Sequence, residues 1–202
     1  MLNGVSIANE DQSAVCVTDA DKVFFTTAEG TENTLQTTGT FAVGGDTNPD
    51  AVIISQNSLT LNGMGSLTVE SAERNGISGK DEVTITGGTY AIHSALDAIE
   101  AHDSVAICGG NFSIETGKDG IHSEDSDAID ANGSIYINGG TIQITTSGNS
   151  FDYDKTAELD RGTLIINEEE VAEIPALTMG GMGQMGADGG RNLGRQTALG
   201  QV

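Results

Sequence analysis

Val83-Thr-Ile-Thr-Gly-Gly88, Val105-Ala-Ile-Cys-Gly-Gly110 and Ile135-Tyr-Ile-Asn-Gly-Gly140 are three copies of one pattern. Each is followed at the same offsets by an isoleucine (Ile92, Ile114, Ile144), an Asx residue (Asp97, Asp119, Asn149) and a further apolar residue (Ile99, Ile121, Phe151). The alternation within each copy has period two, β-branched residues fill the apolar positions, and Gly-Gly pairs mark a corner. The first two copies begin 22 residues apart. Such a repeat fits one coil of a parallel β-helix, in which inward side chains of each coil bury those of the next.

A weaker copy precedes these, Leu59-Thr-Leu-Asn-Gly63 with Val69, Asn75 and Ile77. The fold expected is all-β, a parallel β-helix (solenoid) of about 22 residues per coil. One domain over 1–177 is predicted, with imperfect opening coils over 1–57, regular coils over 58–155 and a closing coil over 156–177. Its core is predicted as columns: Ile85, Ile107 and Ile137; Ile92, Ile114 and Ile144; then Ile99, Ile121 or Ile129, and Phe151. Tyr90 occupies the place of Phe112 and Ile142 and is expected to point inward. Phe24, Phe25 and Phe41 are expected to plug the open end of the stack. The tail over 178–202, rich in Gly and Met, has too little apolar surface to offset its ordering entropy and is expected to be flexible.

The chain carries 30 acidic and 8 basic residues, a formal charge of −22. Nucleic acid is excluded as a partner, because its phosphates would be repelled. No apolar run is long enough to span a bilayer, and no signal peptide is visible at the start. Cys16 and Cys108 read as free thiols, since no CxxC spacing suggests zinc or redox chemistry.

Between Val105 and Ile135 the repeat lengthens to 30 residues. The addition is a duplication: Asp119-Gly-Ile-His-Ser-Glu-Asp-Ser126 runs directly into Asp127-Ala-Ile-Asp-Ala-Asn-Gly-Ser134, and both resemble Asp97-Ala-Ile-Glu-Ala-His-Asp-Ser104. Stacked coils place equivalent residues roughly 4.8 Å apart. Two like charges at about that distance repel by on the order of 3 kcal/mol at an effective dielectric of 20, so a ladder of Asp97, Asp119 or Asp127, and Asp152 requires protons or a cation. Calcium, with six to eight oxygen ligands in adaptable geometry, suits the set Asp97, Glu100, Asp119, Glu124, Asp125, Asp127, Asp130 and Asp152. The competing reading is that Asn75, Asp97, Asp119 and Asn149 hydrogen-bond the turn backbone, as Asx residues often do.

Taken together, Ser58-Leu-Thr-Leu-Asn-Gly-Met-Gly-Ser-Leu-Thr-Val69, Asn75-Gly-Ile-Ser-Gly-Lys-Asp81, Val83-Thr-Ile-Thr-Gly-Gly-Thr89, Lys118-Asp-Gly-Ile-His-Ser123 and Ile137-Asn-Gly-Gly-Thr-Ile142 resemble the bacterial carbohydrate-binding-domain proteins with a right-handed parallel β-helix of the polysaccharide-lyase type. The resemblance covers roughly residues 5 to 167 and implies a secreted or cell-surface protein that binds polysaccharide, acidic sugars included, and carries calcium between coils. By position Asp97, Asp119 and Asp127 match the family's corner acids.

Calcium with open positions could bridge protein and uronate carboxylates, which lets an acidic protein bind an acidic polymer such as polygalacturonate. A cellulose-like partner normally calls for a row of exposed aromatics. Three Tyr, five Phe and no Trp supply this poorly, with Tyr136 and Tyr153 the remaining stackers. Non-catalytic binding is therefore the leading expectation. A calcium-dependent pectate-type lyase is the alternative, with Lys118 as the best placed base, although the adjacent Asp119 would raise its pKa and oppose that role. A structural or adhesive solenoid is the third reading.

Overall fold

The computed structural model describes residues 1–42, 50–124 and 133–176. These residues form eighteen strands and no helix, arranged as one large curled sheet and one smaller sheet. The strands fall into three rows. Row one contains Ser6–Asn9, Glu32–Thr37, Ser66–Ser71, Thr89–Ser94 and Asn111–Thr116. Row two contains Val23–Thr27, Leu59–Gly63, Glu82–Ile85 and Ser104–Ile107. The long strand Ser134–Thr146 belongs to both, pairing with Ser104–Ile107 through its first half and with Asn111–Thr116 through its second. Row three is the smaller sheet: Val15–Val17, Ala51–Ser55, Asn75–Gly79, Ile99–Ala101, Ile121–Ser123 and Phe151–Tyr153.

Every pairing within a row is parallel, and each pass of the chain adds one strand to row two, then to row one, then to row three. The register is the one the repeat demands. Ile85 pairs with Ile107 and Ile107 with Ile137; Ile92 pairs with Ile114 and Ile114 with Ile144. In row three Ile99 pairs with Ile121 and Ile121 with Phe151, which gives the column position to Ile121; Ile129 lies outside the described residues. These side chains from all three rows form a single buried cluster between the sheets. Tyr90 is 1% exposed and stacks on Phe112, ring centres 5.0 Å apart, while its hydroxyl donates to the Gly87 carbonyl at 2.8 Å.

The corner between rows two and one explains the recurring Gly-Gly. Its second glycine is left-handed in successive passes, with φ of 108° at Gly88, 110° at Gly110 and 91° at Gly140. These backbones also stack closely, since a Cβ on Gly140 would lie 2.5 Å from the Gly110 carbonyl oxygen. Only glycine meets both demands.

Two expectations need correction or limits. Phe24 does not plug the end of the stack: it is 60% exposed, because strand alternation turns Val23 and Phe25 toward the core and Phe24 away. Phe41 is buried as expected. Residues 43–49, the second copy of the duplicated segment from Asp127 to Asn132, and the tail over 178–202 lie outside the described residues. At the far edge, Thr156–Ile166 turns back through Asn167 and Glu168, both at positive φ, into Glu169–Val171, which pairs with it antiparallel.

Ile107 is fully buried between its counterparts in the passes before and after. Replacing it with alanine is expected to destabilise the protein by about 2–5 kcal/mol in urea unfolding, the cost of the lost contacts and the cavity. A neutral substitution would show that the column does not bear on stability.

Candidate functional site

The chain turns from row one into row three at Asn75, Asp97, Asp119 and Asn149, one residue per pass. An Asx side chain is short enough to reach the backbone of a neighbouring turn, and here it reaches the equivalent residue of the next pass. Asn75 Oδ1 accepts the Asp97 N–H at 3.0 Å, Asp97 Oδ1 accepts the Asp119 N–H at 3.0 Å, and Asp119 Oδ1 accepts the Asn149 N–H at 2.9 Å. Asp119 pairs directly with Asn149, so the third rung of the ladder is Asp119. Asp152 belongs to a different column, opposite His122 in row three.

Two rungs are carboxylates and both are buried. Their charge is answered by the protein itself. Lys118 Nζ lies 3.0 Å from Asp97 Oδ2 and 3.5 Å from Asp119 Oδ2, and His122 Nδ1 lies 3.1 Å from Asp97 Oδ2. The other ring nitrogen of His122 is 3.1 Å from Glu124 Oε2. With a carboxylate at each nitrogen, the imidazole donates through both when protonated.

The electrostatics follow from this packing. Burial alone would lower the His122 pKa, but the hydrogen bond and charge of Asp97, helped by Glu124 and opposed by Lys118, carry it up to about 9. Burial likewise acts to raise Asp97, yet the hydrogen bonds from His122, Lys118 and the Asp119 N–H hold it below the ordinary carboxylate range. Lys118 is pushed down by burial and, more strongly, up by Asp97 and Asp119, so its ammonium is held above the usual lysine pKa. Asp152 is raised by burial, against the attraction of His122 and with Asp119 and Glu124 adding to the rise.

Of the acids singled out from sequence, Asp97 and Asp119 meet at the ladder, Glu124 reaches them through His122, and Asp152 stands beside His122. Glu100 joins the ladder at its first rung, accepting from Asn75 Nδ2 at 2.5 Å, and lies 3.9 Å from Lys80, which itself pairs with Asp50 at 2.8 Å. Asp125, Asp127 and Asp130 lie outside the described residues. His122 is not among the site residues that the sequence singles out. A readable signal existed: His122 follows Asp119 by the same three positions that separate Glu100 from Asp97 and Asp152 from Asn149, and these residues pair in row three.

As a metal centre, Asp97, Asp119 and His122 offer ligand atoms that all lie within 4.8 Å of one another. The oxygens suit a hard cation and the imidazole does not. The free edges of both aspartates face the Lys118 ammonium, so an ion at this point would take the place Lys118 now holds. Lys118 is half-exposed on a flexible stem and is able to withdraw.

An all-β protein of stacked parallel strands with a charged corner ladder is the class this architecture defines. Over residues 1–193 the chain matches the carbohydrate-binding domain-containing proteins, and it belongs to that family. It is 33% identical over 94 residues to a carbohydrate-binding domain-containing protein of Acetivibrio thermocellus, a match covering 46% of this chain and 33% of that one. The matched region thus spans about a third of the relative's length. Among solved structures it is similar to a polysaccharide lyase-like protein from C. thermocellum, studied as a gadolinium derivative, with 31% identity, a TM-score of 0.76, and coverage of 82% of this chain and 67% of the other. Among the described residues no helix is long and apolar enough to cross a membrane.

Because the folded-state pKa of His122 lies above the ordinary 6.5, its contribution to stability is complete below about pH 6.5 and is lost as pH rises through about 9. The loss is expected to be on the order of 3 kcal/mol, read by denaturant unfolding across that window and removed by His122→Gln. Asp97→Asn keeps an acceptor for the Asp119 N–H and is expected to bring the His122 titration, followed by NMR, back toward 6.5. An imidazole that already titrates near 6.5 in the unaltered protein would contradict this assignment.

Proposed function

We propose that this chain is a right-handed parallel β-helix that binds polysaccharide without cleaving it and that its acidic corner takes calcium. The family match supplies the carbohydrate partner. What supports the non-catalytic reading is the state of Lys118. The base of a lyase must be free to accept the proton next to a carboxylate, whereas in the ion-free protein this ammonium is tied to two buried aspartates and held above its usual pKa; the absorbance assay with calcium present tests the state in which an ion has displaced it.

For calcium, the supporting observation is the donor chemistry at the ladder. Asp97 and Asp119 each keep one carboxylate oxygen off the backbone, while Glu124 pairs with His122 and Asp152 lies opposite it in the neighbouring strand. The ion would supply positive charge to which a uronate carboxylate could bind, and so overcome the repulsion between an acidic polymer and a protein of charge −22. The solved neighbour is described as a gadolinium derivative, and gadolinium is a similarly hard, oxygen-seeking cation. A secreted or cell-surface setting agrees with a polymeric ligand of this kind.

Polygalacturonate titrated calorimetrically into chelator-stripped protein, with and without calcium, is expected to give heat only when calcium is present. The ultraviolet absorbance of unsaturated uronate is expected to stay flat throughout. A rising absorbance would establish a lyase instead, and calcium-independent binding would remove the ion from the recognition.

A further inference from the structure

A groove of about 640 Å³ lies on the side of row one remote from row two, where its strands end and the chain bends toward the ladder. It crosses the passes instead of following a strand. Its floor is the register column Thr37, Ser71, Ser94 and Thr116, buried hydroxyl residues whose strands pair in sequence. Those hydroxyls are largely committed to the protein, Thr37 Oγ1 donating to the Gln12 carbonyl and Ser94 Oγ to the Leu96 carbonyl, which fixes the floor. One wall is the outward column Gln36, Glu70, His93 and Glu115. Along the other side the chain presents Thr38, Ala72, Ala95 and Gly117, whose shortness leaves the notch open.

We propose that this groove is a binding site for an extended, uncharged polysaccharide lying along the stacking direction. The proposal rests on the carbohydrate-binding reading above and assigns it a second, cation-independent surface. Four strands at a regular spacing of roughly 4.8 Å span roughly 14 Å, the scale of a short run of sugar rings. Successive sugars would meet a hydroxyl floor in every pass and a polar wall whose side chain changes from Gln36 to Glu70, His93 and Glu115.

The chemistry of the walls selects the ligand. Glu70 and Glu115 accept hydrogen bonds from sugar hydroxyls, and hydrogen bonds to a charged group are stronger than neutral ones. The lining contains no lysine or arginine, so a uronate carboxylate entering here would meet two like charges and no partner. The His93–Glu115 pair, 3.4 Å apart with both side chains largely exposed, costs little to open for a ligand. No aromatic residue lines the groove, so binding depends on these polar groups and not on stacking.

The test is calorimetric titration of a β-1,4-linked glucose hexasaccharide into calcium-free protein, alongside polygalacturonate with calcium. Two variants are compared with the unaltered chain: the double variant Glu70→Gln/Glu115→Gln, which removes the charge of the acceptors, and Ala95→Leu, which fills the notch from an exposed position. Both variants are expected to weaken the hexasaccharide by about tenfold or more while leaving polygalacturonate binding unchanged. Amide shifts on adding hexasaccharide are expected at Thr38, Ala72, Ala95 and Gly117. Undiminished hexasaccharide binding by both variants, or shifts confined to another face, would overturn the groove. So would an unaltered protein that binds polygalacturonate but no hexasaccharide. Hexasaccharide binding that the variants weaken, without any polygalacturonate binding, would uphold the groove and remove the calcium-bridged uronate alone. Absence of binding to either glycan would overturn both readings.

Discussion

Parallel stacking in register means that every side chain has its own counterpart from the next pass as its nearest neighbour. For most residue types this favours the fold. Isoleucine on isoleucine packs without mismatch, and glycine on glycine lets the corner backbones approach to within contact. The same rule is hostile to charge, because an aspartate repeated at one strand spacing meets another aspartate. Asp97 and Asp119 survive burial only because each lends one oxygen to the backbone below it and turns the other toward Lys118, with His122 serving Asp97 as well. Removing a partner from such a network leaves a buried charge uncompensated, so Lys118 and His122 belong to the fold as much as to any binding site.

The columns were legible in the sequence because their signal is translational: the same residue type returns at the same offset, and register follows. Tyr90 was placed correctly for that reason, since its position matched those of Phe112 and Ile142. The corner acids were legible as a set, but their partners were not. Lys118 reaches back to Asp97 across a pass, and His122 reaches the same carboxylate from row three. Long side chains that bridge passes leave no periodic trace. Glu100 was grouped with Asp97 on proximity in sequence, and it meets the ladder one pass earlier, through Asn75, with Lys80 beside it. Asp152 was assigned to the ladder although Asn149 holds the rung, an error of column that the three-residue offset would have corrected. The groove was invisible for a different reason: it is defined by short side chains, and absence of volume carries no motif.

Two surfaces of opposite character thus lie on either side of one bend. The ladder is buried, charged and internally compensated, so a cation entering it must displace a resident ammonium. The groove is open, with His93 and Glu115 paired only at its exposed rim, and its hydroxyl floor is tied to the backbone. An acidic protein that recognises sugar polymers meets two physical problems, repulsion of charged polymers and weak hold on neutral ones. Under the two binding modes proposed above, the bend would place a different answer on each side.

The final strand pair bears on how copies of this molecule meet. A stack of parallel strands ends in a row of unsatisfied amides and carbonyls, the template on which another chain would add itself. Here Glu169–Val171 folds back antiparallel onto Leu164–Ile166, so over that short stretch the edge backbone runs against the direction of the rest of the sheet. A second molecule approaching that edge finds reversed polarity and two adjacent carboxylates, Glu169 and Glu170, where a matching parallel strand would be needed. Reversal and charge together discourage end-to-end fibre growth at this terminus, a form of protection against self-templating that is built from only a few residues.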